Sequence, residues 1–530
     1  MQESVHVRIP RTRLRAVLAA GAAGAVVAVG LWGVPAQAGG AGRATSGAAD
    51  RSAADRCGVG GWAKVPFLRA PRGRRGTTCT ATVVAASSDP EPSHKALIVS
   101  NGHCVRDTLG TNEVLIDRPV PEDEQQWTFT PAYFHDNTTE QKTFDVERIA
   151  YATMKDIDVS VLQLSATYAD LAQLNVLPRT LSSAGVPAEG TRLQAAHAPS
   201  DGMPEGEDFL RLSNCQATGS GIALHEHTWL WRGFARTDCR GISGGSSGGA
   251  VTTAQGDQLV GMINTVSTPG YLGCGLGRPC EGSAQGLVIP ADDTVYVTPV
   301  DALASCLDEA GLRLNRPGCR LDAGRQVTLE FTGQQTQSDT PQGPAHWDVH
   351  ATAGQDDGHA YVAFKTGPFG TTDCTKREGY SRPQPLGTPG ADYRELLPRQ
   401  DNLYILCAAG GPSPAVRGAG WSASLAHPSH AYARVDNTPP TVQPSLSVQR
   451  FGEGADASYR VYPVYQPWEI TSYKVKYGPK DTTDCADPRD YHFYRNVPAL
   501  LQESQGPWTY CAIGHDNADN ATAPKAFEIG

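Results

Sequence analysis

Residues 237–250 read TDCRGISGGSSGGA, with five glycines and three serines. A run so rich in glycine predicts neither a helix nor a packed strand, and it brings backbone N–H groups close to whatever lies outside the chain. A serine between glycines in such a loop is a candidate nucleophile, with N–H groups beside it for a developing oxyanion. The same string also fits a flexible linker. The choice depends on whether the rest of the chain supplies a base for the serine.

Residues 1–38 are predicted to be a secretory signal peptide. They hold a basic start, an apolar run at 16–34 and the small-x-small site Ala36-Gln37-Ala38. The alternative is an uncleaved membrane anchor, but the Ala-Gln-Ala site and the polar, glycine-rich sequence after it favour cleavage. We therefore expect a secreted, extracellular protein that has no membrane attachment once the signal is removed.

The composition favours a loop-rich, largely β protein. Charged residues make up only 19% of the 530 positions, while glycine and proline number 57 and 38. The net charge of −10 argues against nucleic acid as a partner. All thirteen cysteines follow the signal, so disulfides are expected in an exported chain. Because thirteen is odd, at least one cysteine is unpaired or pairs with another molecule.

Residues 39–60 offer almost nothing to bury and are predicted to be a disordered lead-in or a propeptide. From Trp62 the pattern changes to short apolar runs separated by turn residues, at 79–86, 96–100, 113–116, 128–133, 158–164 and 259–264. Strands at this spacing, without helical periodicity between them, predict an antiparallel barrel or sandwich. Residues 300–312 have helical spacing and are predicted to form a short closing helix.

Beyond Cys319 the sequence repeats itself. The segment KTGPFGTTDC at 365–374 is echoed by KYGPKDTTDC at 476–485. Each copy is followed by a tyrosine and then by an apolar strand that carries a second cysteine, Cys407 or Cys511.

This repeat predicts two β-sandwich modules, at 321–436 and 437–530. Each module is expected to be pinned by its own bridge, Cys374–Cys407 in the first and Cys485–Cys511 in the second. The turn-rich string DNADN at 516–520 resembles the terminal strand of immunoglobulin-like modules appended to secreted bacterial proteins.

A candidate base, His103, follows an apolar run in the segment LIVSNGHCV at 97–105. Together with CTATVV at 79–84, this segment resembles the serine endopeptidases of the chymotrypsin class, where a histidine followed by a cysteine lies just past a strand. The resemblance implies a two-lobed antiparallel β-barrel protease domain at 61–320. It also implies a disulfide between Cys79 and Cys104, and catalytic residues in the chain order His, Asp, Ser.

An aspartate occurs where that order requires one, in the string DIDVSVLQL at 156–164. Aligning VSVLQL with the family's apolar strand places the catalytic aspartate at Asp158, with Asp156 as the alternative. On its own, such an aspartate would be interpreted as a strand-edge residue that prevents the strand from pairing with the sheet edge of another chain. In the triad, its carboxylate would fix the tautomer of His103 and stabilise the imidazolium.

Two serines fit the nucleophile pattern G-x-S-G-G, Ser243 and Ser247. Ser243 has Cys239 four residues before it, which suits the family's cysteine placement. Ser247 is favoured because the sequence after it passes directly into a strand, as the family's nucleophile loop does. The oxyanion donors would then be the backbone N–H groups of Gly245 and Ser247.

The sequence departs from the family at several positions. Asn101 replaces the usual alanine two residues before the histidine. Ser246 precedes the nucleophile, where animal-type members have an aspartate that holds a newly freed N-terminus, and there is no start like RIVGG. Asn264 stands where the family often has a serine beside the substrate backbone. The closer likeness is therefore to the bacterial secreted trypsin-like branch.

The remaining cysteines are paired by position and by likeness to that branch. Cys215 and Cys239 flank the segment that leads into the nucleophile loop, and two further pairs, Cys274–Cys280 and Cys306–Cys319, close small loops. Cys57 is left over.

The string His225-Glu-His227 would put two imidazoles on one face of a strand, as in a metal site. No third ligand is evident nearby, so a surface strand is the favoured interpretation. No metal and no organic cofactor is expected.

These features predict a secreted serine endopeptidase that hydrolyses polypeptides through a Ser-His-Asp triad and an acyl-enzyme. The C-terminal modules would serve targeting or spacing, with a cell-surface or polymeric ligand as their candidate partner. The alternative is an inactive protease homologue or a surface adhesin that acts as a binding protein. Primary specificity stays open: an acidic pocket floor at Asp238 would favour Arg or Lys, but Arg240 and Gly241 are also candidates for that position.

Overall fold

Strands dominate the structure, as the composition predicted. A computed structural model describes residues 67–69, 78–106, 109–120, 127–137, 141–204, 206–269, 274–340, 343–354, 357–387, 389–466 and 469–530. The predicted signal peptide, the predicted lead-in at 39–60 and Cys57 lie outside these residues. None of the helices in the described ranges has the length and apolar character needed to cross a membrane.

The first barrel is a sheet of eight strands within the described residues. They are β1 (Phe67–Arg69), β2 (Cys79–Thr80), β3 (Thr82–Val84), β4 (Lys95–Ser100), β5 (Val114–Pro119), β6 (Thr128–Thr130), β7 (Phe144–Thr153) and β8 (Val159–Thr167). The pairing order is β2-β1-β6-β7-β8-β4-β3, and β5 adds to β7. Because only Ala81 separates β2 from β3, the sheet closes on itself.

The second barrel follows the short helix α1 (Tyr168–Ala172). Its strands are β9 (Arg192–His197), β10 (Arg211–Glu226), β11 (Trp229–Thr237), β12 (Ala250–Thr253), β13 (Leu259–Val266), β14 (Cys280–Ser283), β15 (Gly286–Val288) and β16 (Val295–Pro299). The order β11-β16-β13-β12-β9-β10 closes because β10 also pairs with β11, and the β14–β15 hairpin extends from β10.

Strands β4 and β8 are buried on both faces, which positions the residues at their ends. Ile98 and Leu162 fill the interior of the first barrel. Their neighbours Val99 and Val161 point the other way, into a core shared with Met262 of the second barrel. The turn after β4 and the segment before β8 therefore lie close to the second barrel.

The predicted closing helix at 300–312 is correct only for its first turn. Helix α2 (Asp301–Ala304) is followed by a small hairpin of β17 (Leu307–Asp308) and β18 (Gly311–Leu312). Gly311, the first residue of β18, has φ +103°, which is incompatible with a right-handed helix that continues to residue 312. The N–H of Arg313 then donates to the carbonyl of Cys306 at 2.8 Å, which folds the chain back on itself.

The next part of the chain forms two facing sheets around one apolar core. The elements are β19 (Val327–Phe331), β20 (Thr336–Gln337), β21 (Val349–Ala353), β22 (Tyr361–Pro368), β23 (Gln384–Pro385), β24 (Ala391–Tyr393), β25 (Asn402–Gly411), α3 (Ala419–Ala426) and β26 (Ser429–Val435). One sheet has the order β19-β21-β24 and the other β20-β26-β25-β22-β23.

The last part repeats this arrangement around its own core. Its strands are β27 (Leu446–Phe451), β28 (Ser458–Pro463), β29 (Ser472–Pro479), β30 (His492–Phe493), β31 (Ala499–Gln502), β32 (Trp508–His515) and β33 (Lys525–Ile529). The sheets are β27-β28-β31 and β30-β29-β32-β33. The chain therefore carries two β-sandwich regions after the barrels.

In each copy of the sequence repeat, the lysine side chain holds the loop that follows it through hydrogen bonds to backbone carbonyl groups. Lys365 Nζ donates to two carbonyl oxygens in the loop that contains Cys374, and Lys476 does the same beside Cys485. Each cysteine is bonded to a strand of the sheet from which its own loop extends. The bridges thus tie a loop to its sheet, whereas in antibody domains a bridge joins the two facing sheets. The immunoglobulin-like assignment stays a prediction.

The first sandwich packs against the barrels through a buried ion pair. Lys155 Nζ lies 2.6 Å from Asp322 Oδ2, and the two side chains are 1% and 8% exposed. The same ammonium donates to the carbonyl of His427 at 2.9 Å. Asn112 and His430 add a reciprocal pair of hydrogen bonds, each 2.8 Å long. The segment that leads into Asp158 is therefore fixed from the sandwich side.

Replacing Asp322 with Ala should lower the free energy of unfolding by about 3–5 kcal/mol, because it leaves the Lys155 ammonium buried without its carboxylate. Urea titration measures this. The double variant Lys155→Met, Asp322→Leu should be less destabilised than Asp322→Ala. Glu147→Ala, which breaks an exposed pair with Lys95, is the matched control and should cost about 1 kcal/mol or less. Equal losses for Asp322→Ala and Glu147→Ala would contradict the prediction.

Candidate active site

The turn after β4 carries His103 against a rigid frame. Cys104 is bonded to Cys79 of β2, with the two Cα atoms 6.1 Å apart. The buried amide of Asn101 donates from Nδ2 to the carbonyl of Asp158 at 3.0 Å, and Ser160 Oγ donates to the carbonyl of Asn101 at 2.8 Å. Asn101, a departure from the family pattern, therefore ties the histidine turn to the start of β8.

The carboxylate of Asp158 is fully buried and is held by three donors. His103 gives it two hydrogen bonds, from Nδ1–H to Oδ2 at 2.6 Å and from the backbone N–H to Oδ1 at 3.0 Å. Asn264 Nδ2 adds a third to Oδ2 at 2.7 Å. A buried carboxylate needs such donors, because it has lost those of water. The imidazole is thereby oriented through Nδ1 and is 24% exposed.

Asn264 also touches the nucleophile loop. Ser247 Oγ donates to the backbone carbonyl of Asn264 at 3.3 Å. One residue of β13 therefore contacts both Asp158 and Ser247. At this position, where the family often has a serine, the asparagine side chain is directed at the aspartate.

Strand β2 links the nucleophile loop to the histidine turn. The N–H of Thr80 donates to the carbonyl of Ser247 at 2.8 Å, and Thr80 Oγ1 donates to the carbonyl of Gly245 at 2.9 Å. Ser100 Oγ donates in turn to the carbonyl of Thr80 at 2.8 Å. A side chain at Gly248 would collide with this contact, since its Cβ would lie 2.1 Å from the Thr80 oxygen.

The direction of the Gly245 N–H follows from the peptide group that it shares with the Gly244 carbonyl. The carbonyl of Gly244 accepts hydrogen bonds from the N–H groups of Ser200 and Asp201 at 2.7 and 3.1 Å. In a planar trans peptide the N–H points opposite to the carbonyl. No acceptor for the Gly245 N–H occurs among the described residues.

The N–H of Ser247 is oriented in the same way. The carbonyl of Ser246, in the same peptide group, accepts the N–H of Gly249 at 2.9 Å. Within the described part of the chain the Ser247 N–H likewise has no acceptor. The loop therefore holds two backbone donors without acceptors in the described part of the chain, one on Ser247 and one two residues before it, of the kind that an oxyanion requires.

The alternative residues face elsewhere. Ser243 Oγ donates to the carbonyl of Asp201 at 2.9 Å. Asp156 Oδ1 lies 3.7 Å from Nδ1 of His430, on the side of the first sandwich. Asp238 is exposed and accepts the N–H of Gln216 at 2.7 Å.

Residues 79–262 match the family model of the trypsin-like peptidase domain. This segment is a trypsin-like peptidase domain. His103, Asp158 and Ser247 all fall within the matched range. No curated protein sequence gives a significant match to the chain.

Solved structures of protease domains are similar to part of the chain. The MamO protease domain from Magnetospirillum magneticum has 13% sequence identity and a TM-score of 0.29, and the match covers 46% of this chain and 95% of that one. The thermostable serine protease AL20 from an extremophilic microorganism has 15% identity and a TM-score of 0.28, with 45% and 90% covered. A Glu endopeptidase has 18% identity and a TM-score of 0.27, with 39% and 80% covered.

Disulfides brace the peptidase domain and both sandwich regions. Among the described residues the structure joins the same six pairs that the sequence suggested: Cys79–Cys104, Cys215–Cys239, Cys274–Cys280, Cys306–Cys319, Cys374–Cys407 and Cys485–Cys511. His103 lies close enough to the first pair to make a cluster of metal-type ligands with Cys79 and Cys104. Because both sulfurs are committed to the disulfide, this cluster offers no thiolate to a metal ion.

The interpretation of His225-Glu-His227 as a surface strand is wrong. His225 and Glu226 end β10 with 7% and 4% exposure, whereas His227 lies in the following turn with φ +54°. The imidazole of His225 donates from Nε2 to the carbonyl of His227 at 3.0 Å and packs against Tyr432 of the first sandwich. The alternation of the sequence did not reveal that the sandwich covers this hairpin.

Glu226 is a buried carboxyl group close to the candidate triad. Its Oε1 accepts the N–H of Gly277 at 2.8 Å, while Oε2 has no hydrogen-bond partner in the part of the chain that the structure describes. Burial raises the pKa of Glu226 to about 7. The hydrogen bond from Gly277 and the charge of His103 oppose the rise.

The raised pKa of Glu226 predicts a pH dependence of stability. The folded state binds the proton more tightly than the unfolded state, so the stabilisation is complete below about pH 4.5 and is lost as the pH rises to about 7. Glu226→Gln removes this titration. Relative to wild type, the variant should gain stability between pH 5 and pH 8, by up to roughly 3 kcal/mol.

Denaturant titrations at both pH values test this prediction, and the comparison with wild type cancels the other titrating groups. Glu309→Gln, at an exposed carboxyl, is the control and should leave the pH dependence unchanged. An unchanged pH dependence in Glu226→Gln would show that the carboxyl is not held neutral by burial.

Proposed function

We propose that the protein is a secreted serine endopeptidase that hydrolyses peptide bonds in polypeptide substrates through His103, Asp158 and Ser247. The observation that carries the proposal is the buried Asp158 carboxylate, which binds His103 Nδ1–H at 2.6 Å and is joined through Asn264 to Ser247. The trypsin-like peptidase domain supports serine protease activity in general.

In the first step the hydroxyl oxygen of Ser247 attacks the carbonyl carbon of the scissile peptide. A serine hydroxyl is too weak an acid to do this alone, so Nε2 of His103 takes its proton. The Asp158 carboxylate keeps the proton on Nδ1, which leaves the lone pair of Nε2 free as the base. It also stabilises the imidazolium that results.

The tetrahedral intermediate places a negative charge on the former carbonyl oxygen. We assign its stabilisation to the backbone N–H groups of Gly245 and Ser247, which lack acceptors within the described residues. Such fixed donors cost no reorganisation when the charge develops, and losing one typically slows the reaction about 10²–10³-fold.

Collapse of the intermediate breaks the C–N bond and leaves an acyl group on Ser247. His103 gives its Nε2 proton to the departing amine, which leaves with a new N–H bond. Water then enters, His103 takes one of its protons, and the hydroxide attacks the ester carbonyl. The C–O bond to Ser247 breaks and the serine recovers its proton from His103.

Ser247 is preferred to Ser243 as the nucleophile because of its contacts. The Ser243 hydroxyl is engaged with the carbonyl of Asp201, while Ser247 lies against Asn264 and β2. Asp158 is preferred to Asp156 on the same grounds, since Asp156 faces His430.

We propose the domain limits 61–320 for the protease domain and 321–436 and 437–530 for the two modules. The second module contributes targeting or spacing. The first is held against the barrels by Lys155 and Asp322, so any spacing it gives is rigid. Extracellular location accords with the disulfides, which persist in oxidising compartments.

A fluorophosphonate probe tests the proposed nucleophile. The mature protein should be labelled covalently at Ser247, and Ser247→Ala should abolish labelling because the attacking oxygen is gone. Ser243→Ala is the matched control in the same loop and should keep it. Mass spectrometry of the labelled peptide identifies the residue. A folded wild-type protein without label would favour the inactive, binding homologue.

The aspartate assignment is tested by Asp158→Asn. This change replaces an acceptor with an amide that favours the wrong tautomer of His103, and it should lower kcat about 10⁴-fold on a peptide substrate. Asp156→Asn is the control: asparagine tolerates the left-handed φ of +60° at this position, and kcat should stay within about threefold of wild type. A larger loss in Asp156→Asn than in Asp158→Asn would transfer the role to Asp156.

A further inference from the structure

The residue between the two oxyanion donors, Ser246, is anchored inside the protein. Its side chain is fully buried, and its Oγ lies 2.9 Å from Nδ1 of His197. The same oxygen accepts the N–H of Ser243 at 3.2 Å, and the N–H of Ser246 donates to the carbonyl of Ser243 at 3.0 Å. The loop is therefore closed on itself and fastened to one imidazole beneath it.

His197 stands on a part of the second barrel that cannot shift independently. It is the last residue of β9 and pairs with Arg211 of β10, while its neighbour Ala196 pairs with Ala250 at the start of β12. The loop lies directly on it, because a Cβ at Gly249 would approach the His197 Cβ to 2.8 Å. A contact to His197 thus fixes the loop relative to the strand that follows it.

Burial sets the charge of His197, and the needs of the Ser246 hydroxyl set its tautomer: with the proton on Nδ1, the serine oxygen would accept two N–H groups and its own proton would have no acceptor among the described residues. Desolvation lowers the pKa of His197 to about 4, so the imidazole is neutral near pH 7. A neutral Nδ1 that lacks a proton is an acceptor, and the Ser246 hydroxyl then donates to it while accepting the N–H of Ser243. This assignment leaves the Ser246 hydroxyl fully satisfied.

We propose that His197 is a positioning residue which, through Ser246, holds the oxyanion loop in its working shape without a newly cleaved N-terminus. The inference rests on the proposed function and adds to it how the site is assembled. In members with an aspartate before the nucleophile, that carboxylate binds the new terminal ammonium. Here the residue at that position is Ser246, whose hydroxyl is neutral, buried and already bonded to His197. It has no negative charge to offset the cost of burying a terminal ammonium.

Three variants of the mature chain test the positioning role. Ser246→Ala removes the donor and should lower kcat about 10–100-fold while KM stays within about twofold, because only the oxyanion geometry is disturbed. His197→Leu should do the same. His197→Asn, which keeps an acceptor near the position of Nδ1, should recover most of the lost kcat.

Thr252→Val is the matched control. It removes another buried hydroxyl from the same sheet, one that has no partner among the described residues. This variant should keep the wild-type kcat. An unchanged kcat in Ser246→Ala, or equal losses in His197→Leu and His197→Asn, would overturn the proposal. A purely structural role would lower the amount of folded protein and leave kcat per titrated site unchanged, which also overturns it.

The N-terminal part of the proposal has its own test. The chain is produced with a stable N-terminal fusion whose integrity is checked by intact mass, and kcat per titrated site should match that of the unfused protein within about twofold. Activity that appears only after cleavage ahead of Cys79 would overturn the inference. Fluorophosphonate titration separates the two claims: a wild-type chain that takes no label refutes the proposed function itself, whereas labelling without the variant effects refutes only the role of His197.

Discussion

The buried carboxylate of Asp158 is the constraint on which the arrangement of the site depends. Cut off from water, it must receive its hydrogen bonds from the protein, and it does so from His103 and from Asn264. These donors belong to different barrels, since His103 follows β4 and Asn264 lies in β13. The charge can be buried without a large penalty only where the two barrels meet. Asn101 completes the set by holding the Asp158 carbonyl.

The nucleophile loop also lies where the two barrels meet, and its conformation is fixed by hydrogen bonds to its carbonyl groups. Its carbonyl groups accept hydrogen bonds from Ser200, Asp201 and Thr80. The N–H groups of Gly245 and Ser247 have no acceptor among the described residues. Glycine is required where the loop passes closest to the first barrel, as at Gly248, where a Cβ would overlap the Thr80 oxygen. The glycine-rich string, which on its own also fitted a flexible linker, is thus a loop of fixed conformation. Its carbonyl groups accept hydrogen bonds from the protein, while those two N–H groups lack acceptors within the described residues.

The sequence predicted the class of fold and suggested the residues that the structure brings together at Asp158, because a short family pattern, the chain order and the strand boundaries agreed. It could not predict which residues of distant strands form hydrogen bonds with the site residues. Asn264 was noted only as a departure from the family's usual serine, and nothing local indicated that its amide faces an aspartate 106 positions earlier. His225 and Glu226 were assigned to a surface strand because alternation does not reveal a sandwich that covers the hairpin. The helix expected at 300–312 failed after one turn, where Gly311 and the Cys306–Cys319 bridge favour a hairpin.

The central claim is that Ser247 Oγ attacks the scissile carbonyl carbon while the adjacent His103 Nε2 takes its proton. A panel of peptidyl chloromethyl ketones that differ in the residue before the reactive carbon tests it directly, because such a reagent bonds a serine oxygen through its carbonyl and alkylates a nearby imidazole nitrogen. The account predicts inactivation with a single alkylated histidine, His103, and loss of this reaction in Ser247→Ala. Inactivation with alkylation of a different histidine, or alkylation of His103 that is equally fast in Ser247→Ala, would contradict it.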